Sequence, residues 1–136
     1  NVKLEEFSFR EKQLHSEYAV RLKVEMEKDT AALRSEIERA ALDPKVRAIV
    51  LASGLPKYFS SGLDLNEIMA MPEEKRPLAF EALLGCYRAL LEAPKPVVGA
   101  LSGAALLGGW IIAMGCDWRV MASESGKAAL SRSASG

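Results

Sequence analysis

The sequence predicts a parallel α/β fold, and three observations carry that prediction. Two short, β-rich and almost wholly apolar runs, Val46–Ala52 and Val97–Leu101, have the composition of strands covered on both faces. Stretches with helical periodicity flank them and lie between them. Each apolar run leads into a glycine-containing turn, so strand alternates with helix along the chain.

From Ser16 to Leu42 the apolar positions Leu22, Met26, Leu33, Ile37 and Ala41 recur at three- and four-residue multiples, which predicts one face of a long amphipathic helix. Glu17–Arg21, Lys23–Glu27 and Arg34–Glu38 lie four residues apart on its other faces, a solvated surface. Asp43-Pro44 ends it, because the residue before proline avoids helical geometry. After the strand Val46–Ala52, Ser53-Gly54-Leu55-Pro56 is a break. Asp64-Leu65-Asn66-Glu67 is a capping box, with Asp64 as N-cap of a short helix that stops near Met71-Pro72. A second long helix is expected over Glu74–Glu92, burying Phe80, Leu83, Leu84, Tyr87 and Leu91. Strand Val97–Leu101, a buried helix Leu106–Cys116 and a third strand Trp118–Ala122 complete the pattern. Val2–Phe9 reads as an exposed strand.

The bulk properties are those of one globular domain. The 136 residues are 49% hydrophobic and 26% charged, and 18 Lys plus Arg balance 18 Asp plus Glu. No global field points to nucleic acid or an anionic membrane. Cys86 and Cys116 are too few for a disulfide framework and read as buried structural thiols. With His15 the only histidine, a histidine triad or multi-histidine metal site is hard to build, and no metal is expected. Pro96–Cys116 carries no charge and is long enough to span a bilayer, but its five glycines and the pair Val97-Val98 fit strand, turn and helix better. The expected organisation is an N-terminal segment over 1–15, a core over 16–130 and a serine-rich tail over 131–136. The charged start shows no secretory leader, the absent initiator Met suggests a longer parent chain, and the tail reads as a linker or scar.

Two loops could carry chemistry. Lys57–Leu65 joins a strand to a capped helix, and Ser60, Ser61 and Gly62 let a ligand approach the backbone. The Leu63 amide lies just before the N-cap, where unpaired N–H groups gather. Gly103–Trp110 is the second, with the Gly108 amide near a helix start. Two such amides converging on one point would form an oxyanion hole. Read from glycine content alone, both loops are better explained as tight connections.

The blocks Val46–Leu51, Phe59–Leu65, Pro94–Ala100 and Ser102–Gly109, continuing through Ala113–Val120, resemble the enoyl-CoA hydratase/isomerase (crotonase) family at family-like spacing over roughly residues 16–122. The resemblance implies a crotonase-like ββα spiral, truncated and lacking the C-terminal helical part. It implies that the backbone N–H groups of Leu63 and Gly108 form an oxyanion hole for an acyl-CoA thioester carbonyl. It places Ser61 where the backbone meets adenine and Lys57 near a coenzyme A phosphate. Gly62, Asp64, Leu65, Leu107 and Ile111 are implied to border the substrate. Coenzyme A is then part of the substrate and no separate cofactor is needed. The implied setting is a homo-oligomer, trimer or hexamer, in the cytoplasm, or in the mitochondrial matrix of a eukaryote.

The departures bear on mechanism. Family hydratases carry a glutamate three residues after the second oxyanion glycine, where this chain has Ile111; the second family glutamate follows a segment like Gly126–Ser131, where this chain has Arg132. Isomerases of the family work without the first glutamate, so an isomerase-type reaction is the first reading. A hydratase-like relative using another residue and a noncatalytic acyl-CoA-binding or partner-binding paralogue are the alternatives.

Overall fold

The computed structural model describes residues 19–23, 30–54, 57–124 and 126–129. Its elements are β1 (Ala19–Lys23), α1 (Thr30–Leu42), β2 (Ala48–Ala52), β3 (Tyr58–Ser60), α2 (Leu65–Ala70), α3 (Arg76–Glu92), β4 (Val97–Leu101), β5 (Ala104–Leu106), α4 (Gly108–Met114), β6 (Trp118–Met121) and β7 (Ala128–Ala129). A 3-10 turn, Glu73–Lys75, leads into α3.

The strands form two parallel sheets, a four-stranded one in the order β1-β2-β4-β6 and a three-stranded one in the order β3-β5-β7. The chain visits one sheet, then the other, then a helix, and repeats: β2-β3-α2-α3, then β4-β5-α4, then β6-β7. This is the ββα spiral. The two apolar strands are parallel neighbours as expected, with Ile49 opposite Val97 and Ala52 opposite Ala100. Asp117 holds the start of β4, donating its N–H to the Val97 carbonyl at 2.9 Å while its carboxylate accepts the Val97 N–H at 2.8 Å.

The core lies between the larger sheet and the helices. Ile49, Leu51, Val97 and Leu101 meet Leu33 and Ile37 of α1, Leu83, Cys86 and Leu90 of α3, and Ile112 and Ala113 of α4. Each such aliphatic side chain contributes roughly 1.5–3 kcal/mol on burial. The Cys86 thiol donates to the Thr30 carbonyl at 3.0 Å and ties α3 to the start of α1.

Three expectations need correction. The helix over Ser16–Leu42 does not extend that far: Ala19–Lys23 is strand β1, parallel to β2 with Ala19 opposite Ala48, and the helix starts at Thr30. Val20, Leu22 and Val24 alternate with Arg21, Lys23 and Glu25. An alternating strand also satisfies a four-residue spacing, and the open edge of β2 decides between them. The buried face of α3 is Leu83, Cys86 and Leu90, whereas Phe80, Leu84 and Leu91 are 50%, 56% and 58% exposed. The helix has two apolar stripes about a quarter-turn apart, and the sheet covers one. Finally, Leu106 belongs to β5 and the following helix is Gly108–Met114, shorter at both ends than Leu106–Cys116. The expected strand Val2–Phe9, the segment 1–15 and the tail 131–136 lie outside the described residues.

Candidate functional site

Both glycine-containing loops begin as strands of the smaller sheet. β3 and β5 pair in parallel, Tyr58 opposite Ala104 and Ser60 opposite Ala105, which carries the two chain segments to the same place. The Lys57 carbonyl accepts the Ala104 N–H at 3.0 Å at the head of that pairing. Just past the strands, the loops touch. A Cβ at Gly62 would lie 2.6 Å from the Gly108 nitrogen, and one at Gly109 would lie 2.2 Å from the Ser60 carbonyl oxygen. Real side chains do not approach so closely, so the contact requires glycine at both positions. Gly62 also has φ of 87°, a left-handed backbone that glycine adopts without steric cost.

Ser60 sets the first loop. It is 3% exposed, and its hydroxyl oxygen accepts the Gly62 N–H at 3.0 Å. That local bond takes the place of a backbone turn at Gly62. Sequence reasoning passed over Ser60 as merely small; the Ser-x-Gly spacing was the available signal. Asp64 then caps α2, its carboxylate accepting from Asn66 N–H at 2.8 Å and Glu67 N–H at 3.3 Å. Its side chain is therefore engaged in helix initiation.

Leu107 sets the second loop. It has φ of 52° and ψ of −122°, and is the one non-glycine residue with positive φ among the described residues. This geometry strains any residue with a Cβ by about 1–2 kcal/mol. The Leu107 carbonyl accepts the N–H groups of Trp110 at 3.0 Å and Ile111 at 3.1 Å, starting α4. In a planar trans peptide the N–H opposes the carbonyl, so the Gly108 N–H is directed away from α4. Among the described residues, neither Leu63 N–H nor the buried Gly108 N–H has an acceptor. Buried amides are almost always paired, which singles out Gly108 among the described residues; Leu63 is only partly buried.

Of the remaining candidates, Ser61 and Leu107 belong to the touching loops, whereas Lys57 precedes β3 at the end away from the junction. Ser61 and Leu107 are half-buried, Lys57 is exposed and Leu65 is 43% exposed. Leu63, Trp110 and Ile111 are partly buried and pack against the core. Ile111 is thus an apolar core-packing residue at the position where the family resemblance implies a proton-transfer acid, and Trp110, beside it in sequence, packs there too. Arg132 lies outside the described residues.

A family model described as enoyl-CoA hydratase/isomerase matches residues 26–134. The chain is 36% identical over 83 residues to the bovine enoyl-CoA hydratase domain-containing protein 2, mitochondrial, covering 61% of this chain and 28% of that one. It is 30% identical over 89 residues to rat enoyl-CoA delta isomerase 1, mitochondrial, covering 65% and 31%. With human methylglutaconyl-CoA hydratase, mitochondrial, identity is 31% over 93 residues, covering 68% and 27%. The structure resembles that of an enoyl-CoA hydratase from Bacillus anthracis with a TM-score of 0.71 at 26% identity, covering 81% of this chain and 45% of that one. The chain therefore spans less than a third of the length of these three relatives and under half of that solved structure.

Proposed function

Because this chain belongs to the enoyl-CoA hydratase/isomerase family, we propose that the junction of its two loops binds the carbonyl of an acyl-CoA thioester. The observation that carries this reading is the pair of backbone N–H groups, Leu63 and Gly108, in touching loops and without acceptors among the described residues. A thioester carbonyl oxygen supplies the acceptor. When a proton leaves the carbon beside the thioester, negative charge moves onto that oxygen, and fixed amide dipoles stabilise it more than they stabilise the neutral substrate. In this reading, which follows the family resemblance, Ser61 takes the adenine contact, Lys57 a coenzyme A phosphate, and Gly62, Leu65, Leu107 and Ile111 border the substrate.

The reaction proposed is of the isomerase type. Ile111 cannot hold a water or move a proton, so direct hydration by the two-acid route is disfavoured. One positioned base, supplied from outside these 136 residues, suffices to take a proton and return it to another carbon. The noncatalytic alternative rests on Arg132, a permanent cation at the second position where the family resemblance implies an acid. Relatives named as mitochondrial support a matrix location if the source is eukaryotic, and the cytoplasm is the alternative. No helix among the described residues is long and apolar enough to cross a membrane.

The test compares binding of an acyl-CoA thioester with its thioether analogue, which lacks the carbonyl. Two hydrogen bonds at about 0.5–1.5 kcal/mol each predict roughly tenfold tighter binding of the thioester. Equal affinities would sink the assignment of Leu63 and Gly108.

A further inference from the structure

We propose that Leu107 restricts access to the Gly108 N–H and thereby decides how firmly the loop junction can hold a carbonyl; the proposal rests on the acyl-CoA reading above. The backbone angles carry it. At ψ of −122° the Leu107 Cβ nearly eclipses the Gly108 nitrogen, the closest approach that rotation about ψ permits. The peptide between the two residues is trans and planar, so the Gly108 hydrogen lies on the same side of the C–N bond as the Leu107 Cα, in the plane that also holds that Cβ. An acceptor in line with the N–H would meet the Cβ. It must instead arrive from the far side, at a bent angle that weakens the bond.

Two further observations support the restriction. A Cβ at Gly62 would stand 2.6 Å from the same nitrogen, so the first loop is packed against it as well. The Leu107 side chain is also half-buried without joining the core: Leu63, Trp110 and Ile111 of the same loops pack against the core cluster, and among the described residues Leu107 does not. Core packing therefore does not offset the positive φ. Strained backbone of this kind clusters at active sites and ligand clamps. Glycine, present at the next two positions, would carry the chain through this turn without strain.

The experiment measures, by titration calorimetry, the affinity of the chain and its variants for butyryl-CoA and for S-butyl-CoA, the thioether that lacks the carbonyl. Circular dichroism and thermal melting show that each variant is folded. Leu107→Gly removes the Cβ and Leu107→Ala keeps it. Leu107→Met keeps it with most of the side chain, and decides the comparison if the alanine variant does not fold. The thioester-over-thioether preference should rise at least ~threefold in Leu107→Gly, within the worth of one net hydrogen bond, and stay within about twofold of the parent in the other two. An unchanged preference in Leu107→Gly, or an equal rise in a variant that keeps the Cβ, would overturn the proposal while the parent's own preference leaves the acyl-CoA reading standing. No preference in the parent or in any variant would remove that reading and this proposal together.

Discussion

Gly62 and Gly108 are in backbone contact: a Cβ on Gly62 would stand 2.6 Å from the Gly108 nitrogen. That single approach joins the strand-to-helix loop after β3 to the one after β5, and the candidate site exists only while it holds.

Gly62→Ala should therefore be costly. The substitution combines a left-handed φ of 87° with a clash against backbone that cannot swing away. The expected loss is about 1–3 kcal/mol, read as a lower denaturation midpoint. Gly54 supplies the control, because a Cβ there meets nothing within 4 Å. Gly54→Ala should change stability by less than ~0.5 kcal/mol. Similar effects at the two positions would mean that the loop contact does not constrain the fold.

Leu107 should invert the usual ranking of alanine and glycine. Both Leu107→Ala and Leu107→Gly lose the half-buried side chain, but only alanine keeps a Cβ at φ of 52°. The glycine variant should be the more stable by about 1–2 kcal/mol. Chemical denaturation of the two variants side by side decides it, and an alanine variant at least as stable would remove the claim of strain.

Lys95 should matter through α1 rather than through any ligand. Its ammonium donates to the Ala40 carbonyl at 2.8 Å and also to the Asp43 carbonyl, two acceptors at the C-terminal end of that helix. Lys95→Met keeps the aliphatic stem and removes the charge. It should cost about 1–2 kcal/mol, with amide exchange accelerated at the end of α1 before it changes elsewhere. Unchanged exchange there would show that water replaces the ammonium without loss.

Alkaline stability should depend on Cys116. Burial pushes its thiol from an ordinary value of 9.0 up to about 12, with Arg119 opposing the shift in part. The folded state holds the proton while the unfolded chain loses it. The contribution is thus complete below pH ~9 and is lost as pH rises towards ~12. Stability measured across that window should fall less steeply in Cys116→Ala than in the parent. Parallel slopes would assign the alkaline loss to other groups.

Turnover by these 136 residues should stay near background with both crotonyl-CoA and a 3-enoyl-CoA. Ile111 and Arg132 occupy the two places where the family resemblance implies acids, and general acid–base groups typically contribute ~10²–10⁴-fold each. A longer parent chain that supplies one base should isomerise and hydrate poorly. Efficient hydration by the 136-residue chain would show that a different residue moves the proton.

The amino-acid sequence by itself determined β4, β2 apart from its start at Ala48 rather than Val46, the cap at Asp64, and the family, because each is written in local composition or in ordered motifs. β1 and the short strands β3 and β5 were not legible. Ala19–Lys23 fits a helix spacing and a strand alternation equally, and a three-residue strand carries too little periodicity to register; pairing partners decide both. The same holds for α3, where two apolar stripes are equally apolar as text and only the position of the sheet chooses Leu83, Cys86 and Leu90. Leu63 and Gly108 could be nominated from motif order, but the touching of their loops could not. That contact depends on β3 and β5 lying side by side, on the Ser60 hydroxyl turning the chain at Gly62, and on Leu107 accepting a strained backbone, all of them interactions between residues far apart in sequence or invisible in residue type.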